Sequence, residues 1–177
     1  YRKNDVSRKM DMFSEKALDR ALEHRGICAR VISEELGERV VPENGKPQCT
    51  LVFDPIDGSN NLLLGVPYYC VSIAFSSRIK NVSFDDIEMG VICDAGGKTY
   101  SAVLGKGAFI NGKKLKRRKI PKRKPVMAIY SYGASKVPLG VIDLEKSVVV
   151  RIFGAMALDL CLLAEGRFDA VIDTRNL

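Results

Sequence analysis

The sequence is short of the residues that most enzymes use for strong chemistry. It holds one histidine, His24, set on a polar helix face between Glu23 and Arg25, so histidine catalysis and histidine metal sites are not expected. Its five cysteines, Cys28, Cys49, Cys70, Cys93 and Cys161, are odd in number, far apart and mostly flanked by apolar residues, with no C-x-x-C pair among them. That pattern excludes a cysteine-based zinc site and reads as reduced thiols in a core. No run of eighteen apolar residues occurs, which excludes a membrane-spanning helix, and Tyr1-Arg2-Lys3-Asn4-Asp5 has no signal-peptide character. The expected location is the cytoplasm. Because the chain opens on Tyr1 and stops at Arg175-Asn176-Leu177 in no finished element, both ends are expected to be cut. What chemistry remains must come from carboxylates, hydroxyls, backbone groups and a hard metal ion.

Acidic residues are also missing from one stretch, and that stretch accounts for the charge. The 177 residues carry a net charge of +7, from 28 basic and 21 acidic side chains. Nine of the basic ones (Lys113, Lys114, Lys116, Arg117, Arg118, Lys119, Lys122, Arg123, Lys124) fall in a single strip, leaving 19 against 21, so the remainder is close to neutral. Such a strip suits RNA or an acidic partner, but no aromatic residue interleaves it to stack on bases. A strand edge guarded by lysine is the plainer reading. With 46% hydrophobic residues the chain has ample material for a buried core.

Phe13, Ala17 and Ala21, with Leu18 and Leu22, recur at helical spacing from about Ser14, and Gly26 ends the run. Ile27 to Ser33 reads as a strand delivering Glu34-Glu35 at its C-terminal end, followed by a loop or hairpin through Pro42, Asn44-Gly45 and Pro47. Cys49 to Phe53 is a second buried strand. Tyr68 to Phe75, Ile87 to Cys93, Lys98 to Val103 and Ala108 to Ile110 follow as antiparallel neighbours, divided by Gly96-Gly97, Gly105, Gly107 and Asn111-Gly112. After Pro125 the pattern alternates: strands at Val126 to Tyr130, Val148 to Phe153 and Phe168 to Ile172, with a helix from about Ala155 to Ala164. The domain division expected is therefore an α+β unit with an antiparallel sheet over residues 1–125, holding the metal-binding segment below, and the start of an α/β unit over 126–177.

The second strand runs straight into Asp54-Pro55-Ile56-Asp57-Gly58-Ser59, two carboxylates three residues apart in a turn made rigid by proline. Pro55 fixes its own φ and biases Asp54 toward an extended backbone, while Gly58 permits a geometry that a side chain obstructs. Two anions held close repel unless a cation lies between them, and Mg²⁺ takes carboxylate and carbonyl oxygens, the Ile56 carbonyl among them. A short helix starting near Ser59 would add free N–H groups for a phosphate. An EF-hand is excluded, since its later ligand positions fall on Ile56, Gly58 and Gly65. Covalent phospho-aspartate chemistry is excluded because Pro55 stands where the nucleophile belongs. A plain Asx-turn stays open on this segment alone. Glu34-Glu35 weighs against it, since a parallel strand neighbour brings at least one of the pair beside Asp54.

Taken together, Ser33-Glu34-Glu35, then Asp54-Pro55-Ile56-Asp57-Gly58-Ser59, then Gly105-Lys106-Gly107-Ala108-Phe109 resemble the inositol monophosphatase family, within the wider group of fructose-1,6-bisphosphatases. Arg151-Ile152-Phe153-Gly154-Ala155-Met156-Ala157-Leu158-Asp159 looks most like the archaeal branch, whose members often act on both inositol phosphates and fructose 1,6-bisphosphate. The resemblance implies a layered αβαβα sandwich of α+β class, its second α/β unit incomplete here. It implies Mg²⁺, about two or three ions with Mn²⁺ as a substitute, held by Glu34, Asp54, Asp57 and the Ile56 carbonyl, with Glu35 in the same acidic cluster. Gly58 and Ser59 would meet the phosphate through backbone N–H groups. Asp11, just ahead of the first long helix, would pair with Ser59 to orient the attacking water, a helix-capping role being its alternative. Asp173 would grip substrate hydroxyls, Gly154 would lie against the substrate, and Tyr132 and Arg151 are candidates for a distant phosphate, against a buried tyrosine and a surface arginine. The family's next motif, which supplies another metal-binding aspartate, is not reached by Leu177. The implied activity is Mg²⁺-dependent hydrolysis of inositol monophosphate or fructose 1,6-bisphosphate by a homodimer. A 3′-phosphoadenosine 5′-phosphate phosphatase and a basic nucleic-acid-binding module are the alternatives.

Overall fold

The computed structural model describes residues 5–118, 122–130 and 148–175. The first helix, α1 (Asp5–His24), begins well before Ser14. Neither proline nor glycine interrupts Asp5 to Ser14, so a helix formed further along extends backward at little cost. Its buried face matches the one the periodicity predicts at Leu22, which is buried, and at Leu18, which packs on the core, and departs from it elsewhere. Phe13, Ala17 and Ala21 are exposed, and the buried positions are Asp11, Glu15 and Leu22, an equally helical spacing. Pairing decides between the two stripes. Glu15 accepts hydrogen bonds from the Ser33 hydroxyl and from Arg39 Nη2 at 2.6 Å, and Arg39 also reaches Asp19 at 2.7 Å. A buried carboxylate with such partners escapes the penalty of an unpaired one.

Strand β1 (Ala29–Ser33) lies between β2 (Gly37–Val41), antiparallel, and β3 (Cys49–Asp57), parallel. The segment after Glu35 is thus a hairpin whose return arm is an edge strand. The sheet continues through β4 (Cys70–Ser76), β5 (Met89–Asp94), β6 (Thr99–Val103), β7 (Gly107–Ile110) and β8 (Lys113–Lys114) in the order β2-β1-β3-β4-β5-β6-β7-β8. Asn111 and Gly112, both at positive φ, form the tight turn between β7 and β8. The basic strip therefore starts as a two-lysine edge strand. Further on, Arg123 is tied to Asp169 at 2.6 Å, and the Arg118 N–H donates to the Glu165 carbonyl at 2.9 Å.

A second, all-parallel sheet has the order β10-β9-β11, from β9 (Val126–Tyr130), β10 (Val149–Arg151) and β11 (Ala170–Asp173). Between β10 and β11 runs α3 (Met156–Ala164). One core packs Leu18, Leu22, Val71, Ile73 and Phe75 between α1 and the large sheet. On the opposite face, Cys70 and Tyr100 meet Leu158 and Cys161 of α3, and a third core joins Met156, Leu162 and Leu163 to Ala128, Tyr130 and Phe168. The layers among the described residues run α1, large sheet, α3, small sheet. All five cysteines are free thiols, with Cys49, Cys70 and Cys161 buried.

The far end of α3 is anchored by Glu165. Its carboxylate accepts from Tyr100 OH at 2.6 Å, Arg167 Nε at 2.6 Å and Lys98 Nζ at 2.8 Å. Burial raises its proton affinity, but the bonds from Arg167, Lys98 and Tyr100 prevail and hold it down at about 2. The unfolded chain takes up this proton first as pH falls, so the contribution is complete above roughly 4.5 and lost on the way down to about 2. Glu165→Gln is expected to flatten that part of the unfolding free energy's pH dependence, which denaturant titrations of both proteins would measure. Parallel curves for variant and wild type across that range would refute the anchor.

Candidate active site

Register places the acidic residues. Ser33 pairs with Phe53 in the parallel β1/β3 ladder, so Glu34, just past the end of β1, comes beside Asp54 within β3, and the Glu34 N–H donates to the Phe53 carbonyl at 3.2 Å. In a regular strand, Asp54 and Asp57 would face opposite sides, being three residues apart. The β3/β4 ladder instead shifts between them: Asp54 opposes Ser72 and Asp57 opposes Cys70, three steps on β3 against two on β4. Pro55 has no N–H to give the ladder, and the extra residue forms a bulge there. The bulge turns both carboxylates to the face that α3 covers.

Asp54 is pushed up to about 7, first by burial and then by the negative charges of Glu34 and Asp57, with a smaller push from Asp11; the Ile56 N–H, 3.0 Å from Asp54 Oδ1, works the other way. Three carboxylates, from α1, the end of β1 and β3, thus bear on Asp54. Asp57 is also raised, by burial, against the backbone N–H groups of Ala157 and Met156. Its Oδ2 accepts from Ala157 at 2.6 Å and lies 3.9 Å from the Cys70 thiol. Burial, followed by Asp57 and Asp54, keeps that thiol protonated. Glu34, Asp54, Asp57 and the Ile56 carbonyl are hard oxygen donors in surroundings of largely negative charge, eased at Asp57 by Arg175, and the chemistry of this set fits Mg²⁺. As placed, no three acid, cysteine or histidine side chains among the described residues are gathered closely enough to enclose one ion.

Asp11 stands inside α1 rather than ahead of it, buried at 5% exposure, so a capping role for it is overturned. Glu35 follows Glu34 in an exposed turn, its N–H on the Ser33 hydroxyl at 3.3 Å. Ser59 opens α2 (Ser59–Leu63), with Gly58 at the N-cap in a left-handed conformation, φ 94°. Gly154 also has positive φ, and Asn61 lies beside it. Asp173 is held by Arg175, through Nε at 2.9 Å and Nη2 at 2.8 Å, which lowers its pKa. Arg151 is exposed on β10 with its guanidinium on the Val150 carbonyl. Tyr132 lies outside the described residues.

Two residues that the sequence reading passes over hold this assembly together. Asn61 Nδ2 donates to the carbonyls of Tyr68 and Phe153, both at 2.7 Å, clamping α2 to the entrance of α3. Asp159 is buried on α3, as are Leu158 and Cys161, and an acid in the middle of so apolar a helix was the only sign of it in the sequence.

The model of the inositol monophosphatase family matches residues 1–176. The chain belongs to the inositol monophosphatase family. A fructose-1,6-bisphosphatase of Pyrococcus furiosus is 32% identical over 173 residues, 97% of this chain and 61% of that protein. A bifunctional NADP phosphatase/NAD kinase of Methanococcus maripaludis is 29% identical over 187 residues, 96% of this chain and 32% of that protein. A solved inositol monophosphatase-fructose 1,6 bisphosphatase is 35% identical with a TM-score of 0.67, covering 93% of this chain and 61% of that one. The chain therefore spans about three fifths of the length of the fructose-1,6-bisphosphatase it matches. The family's layered α+β fold accounts for the two sheets and the helix between them. No described helix is long and apolar enough to cross a membrane.

Proposed function

We propose that this member of the inositol monophosphatase family hydrolyses phosphate monoesters with Mg²⁺, taking inositol monophosphate, fructose 1,6-bisphosphate or both. The observation that carries the reading is the nest of Glu34, Asp54, Asp57 and Asp11, in which burial first, and then the charges of the other three, raise Asp54 to about 7. Glu34, Asp54, Asp57 and the Ile56 carbonyl are the groups that would hold the ion. Mg²⁺ bound there would supply Lewis acidity at phosphoryl oxygens and a water of lowered pKa.

The chain's own residues have three tasks. Asp11, buried in α1, and the Ser59 hydroxyl orient the water for in-line attack. The backbone N–H groups that open α2, which a helix leaves without internal partners, face the phosphate. Gly58, left-handed and without a side chain, lets Ala155, Tyr68 and Tyr69 close on the start of α2 and so fixes the N–H groups there. Asp173, held in place by Arg175, is the proposed contact to substrate hydroxyls. No covalent enzyme intermediate is needed.

A second reading keeps the chemistry and changes the substrate to a phosphorylated nucleotide, favoured by the relative named as an NADP phosphatase. Phosphate release from inositol 1-phosphate, fructose 1,6-bisphosphate, 3′-phosphoadenosine 5′-phosphate and NADP, each with and without Mg²⁺, tests both. We expect release from the first two only with Mg²⁺. Release confined to the nucleotides would favour the second reading, and no release from any of the four would overturn both.

A further inference from the structure

Asp159 has 0% exposure, and phenols from different sheets meet its two oxygens. Tyr68 OH, just ahead of β4, donates to Oδ1 at 2.5 Å, and Tyr130 OH, closing β9, donates to Oδ2 at 2.6 Å. Short hydrogen bonds to a fully buried side chain are strong and directional. Two residues earlier on the same helix, the Ala157 N–H holds Asp57 Oδ2. Helix α3 has no side-chain cap of its own, since its N-cap position is Ala155. Its first turn is thus capped by Asp57, a hundred residues away in sequence, and its rotation is restrained by the two phenols.

We propose that Asp159 is a positioning residue, which with Tyr68 and Tyr130 locks the first turn of α3 so that Ala157 aims the Asp57 carboxylate. The proposal rests on the phosphatase reading for its consequence and not for its geometry. Partners of this outer kind typically alter metal affinity by about 10- to 100-fold. The lock also spans the molecule: Tyr130 carries the Arg175 guanidinium over its ring at 5.0 Å, and Arg175 holds Asp173. One buried carboxylate thereby fixes the large-sheet and small-sheet sides of the site relative to each other.

The test uses the full chain with the double variant Tyr68→Phe/Tyr130→Phe, together with Asp159→Leu and Asp159→Asn. Two readouts are taken: hydrogen exchange at the Ala157 amide, and the Mg²⁺ dependence of phosphate release. In the double variant and in Asp159→Leu, we expect Ala157 exchange to quicken about tenfold relative to the core amides of β3, and half-maximal activation to need roughly tenfold more Mg²⁺, with substrate KM moving less. Asp159→Asn, which can accept from one phenol and donate to the other, is expected to restore both. Because the double variant leaves the buried Asp159 without either phenol, the single variants Tyr68→Phe and Tyr130→Phe, each keeping one of the two, carry the test through the same readouts if the double variant and Asp159→Leu do not fold. A lowered melting temperature with wild-type Ala157 exchange and wild-type Mg²⁺ dependence would overturn the proposal. Absence of Mg²⁺-dependent release from the wild type would instead remove the phosphatase reading, and Ala157 exchange would still decide the positioning role.

Discussion

Asp54→Asn is expected to lower Mg²⁺-dependent phosphate release by at least ~100-fold, the upper end of what even outer-shell partners contribute, and to leave the metal-free fold no less stable. The two halves of that expectation share one cause. Asp54 is drawn out of water and sits in the field of Glu34, Asp57 and Asp11, so its charge works against the folded protein when nothing offsets it. Asparagine keeps the shape and the acceptor that the Ile56 N–H uses at 3.0 Å, while removing one negative charge from the nest. What it cannot keep is an anionic oxygen for a divalent cation. Phosphate release across a Mg²⁺ series, alongside thermal unfolding without metal, separates the effects. Turnover retained by the variant would sink the ligand assignment, and a large drop in melting temperature would sink the account of the charge.

Gly58→Ala should cost roughly 2–4 kcal/mol of folding free energy, combining overpacking with a left-handed backbone conformation. A Cβ at Gly58 would stand 3.0 Å from the Ala155 Cβ, 3.0 Å from the Tyr68 carbonyl oxygen and 3.1 Å from the Tyr69 Cβ. None of these is the far end of a flexible side chain, so relief requires α2, β4 or the entrance to α3 to shift. Gly65→Ala supplies the comparison: its φ is +71° but nothing lies within 4 Å of the added carbon, so only the conformational cost of about 1–2 kcal/mol applies. Urea titrations of the two variants should therefore differ by a kilocalorie or more. Equal losses would mean that Gly58 is conserving a backbone angle and not a close contact.

Most of the strand order along the chain was readable because apolar runs bounded by glycine, proline and asparagine are local signals, and local signals survive folding. The acidic motif was readable for the same reason: proline, glycine and two carboxylates in six residues constrain their own backbone. The helix face was harder. Phe13-Ala17-Ala21 and Asp11-Glu15-Leu22 are both helical stripes, and hydrophobicity favours the first. The second is buried because Arg39 and Ser33, on β2 and β1, supply partners for Glu15. Nothing within α1 announces them.

By itself, then, the sequence determined most of the strands, the rigid turn and the two carboxylates within it, since each depends on neighbours a few residues apart. Only the tertiary structure decided that Asp54 and Asp57 share a face, through the bulge at Pro55, and that Asp57 caps a helix begun at Met156. It alone decided that Asp159 belongs to two tyrosines from separate sheets. Those outcomes turn on register and on long-range polar pairing, where a shift of one residue reverses a side chain's face and a buried charge goes wherever its partners are.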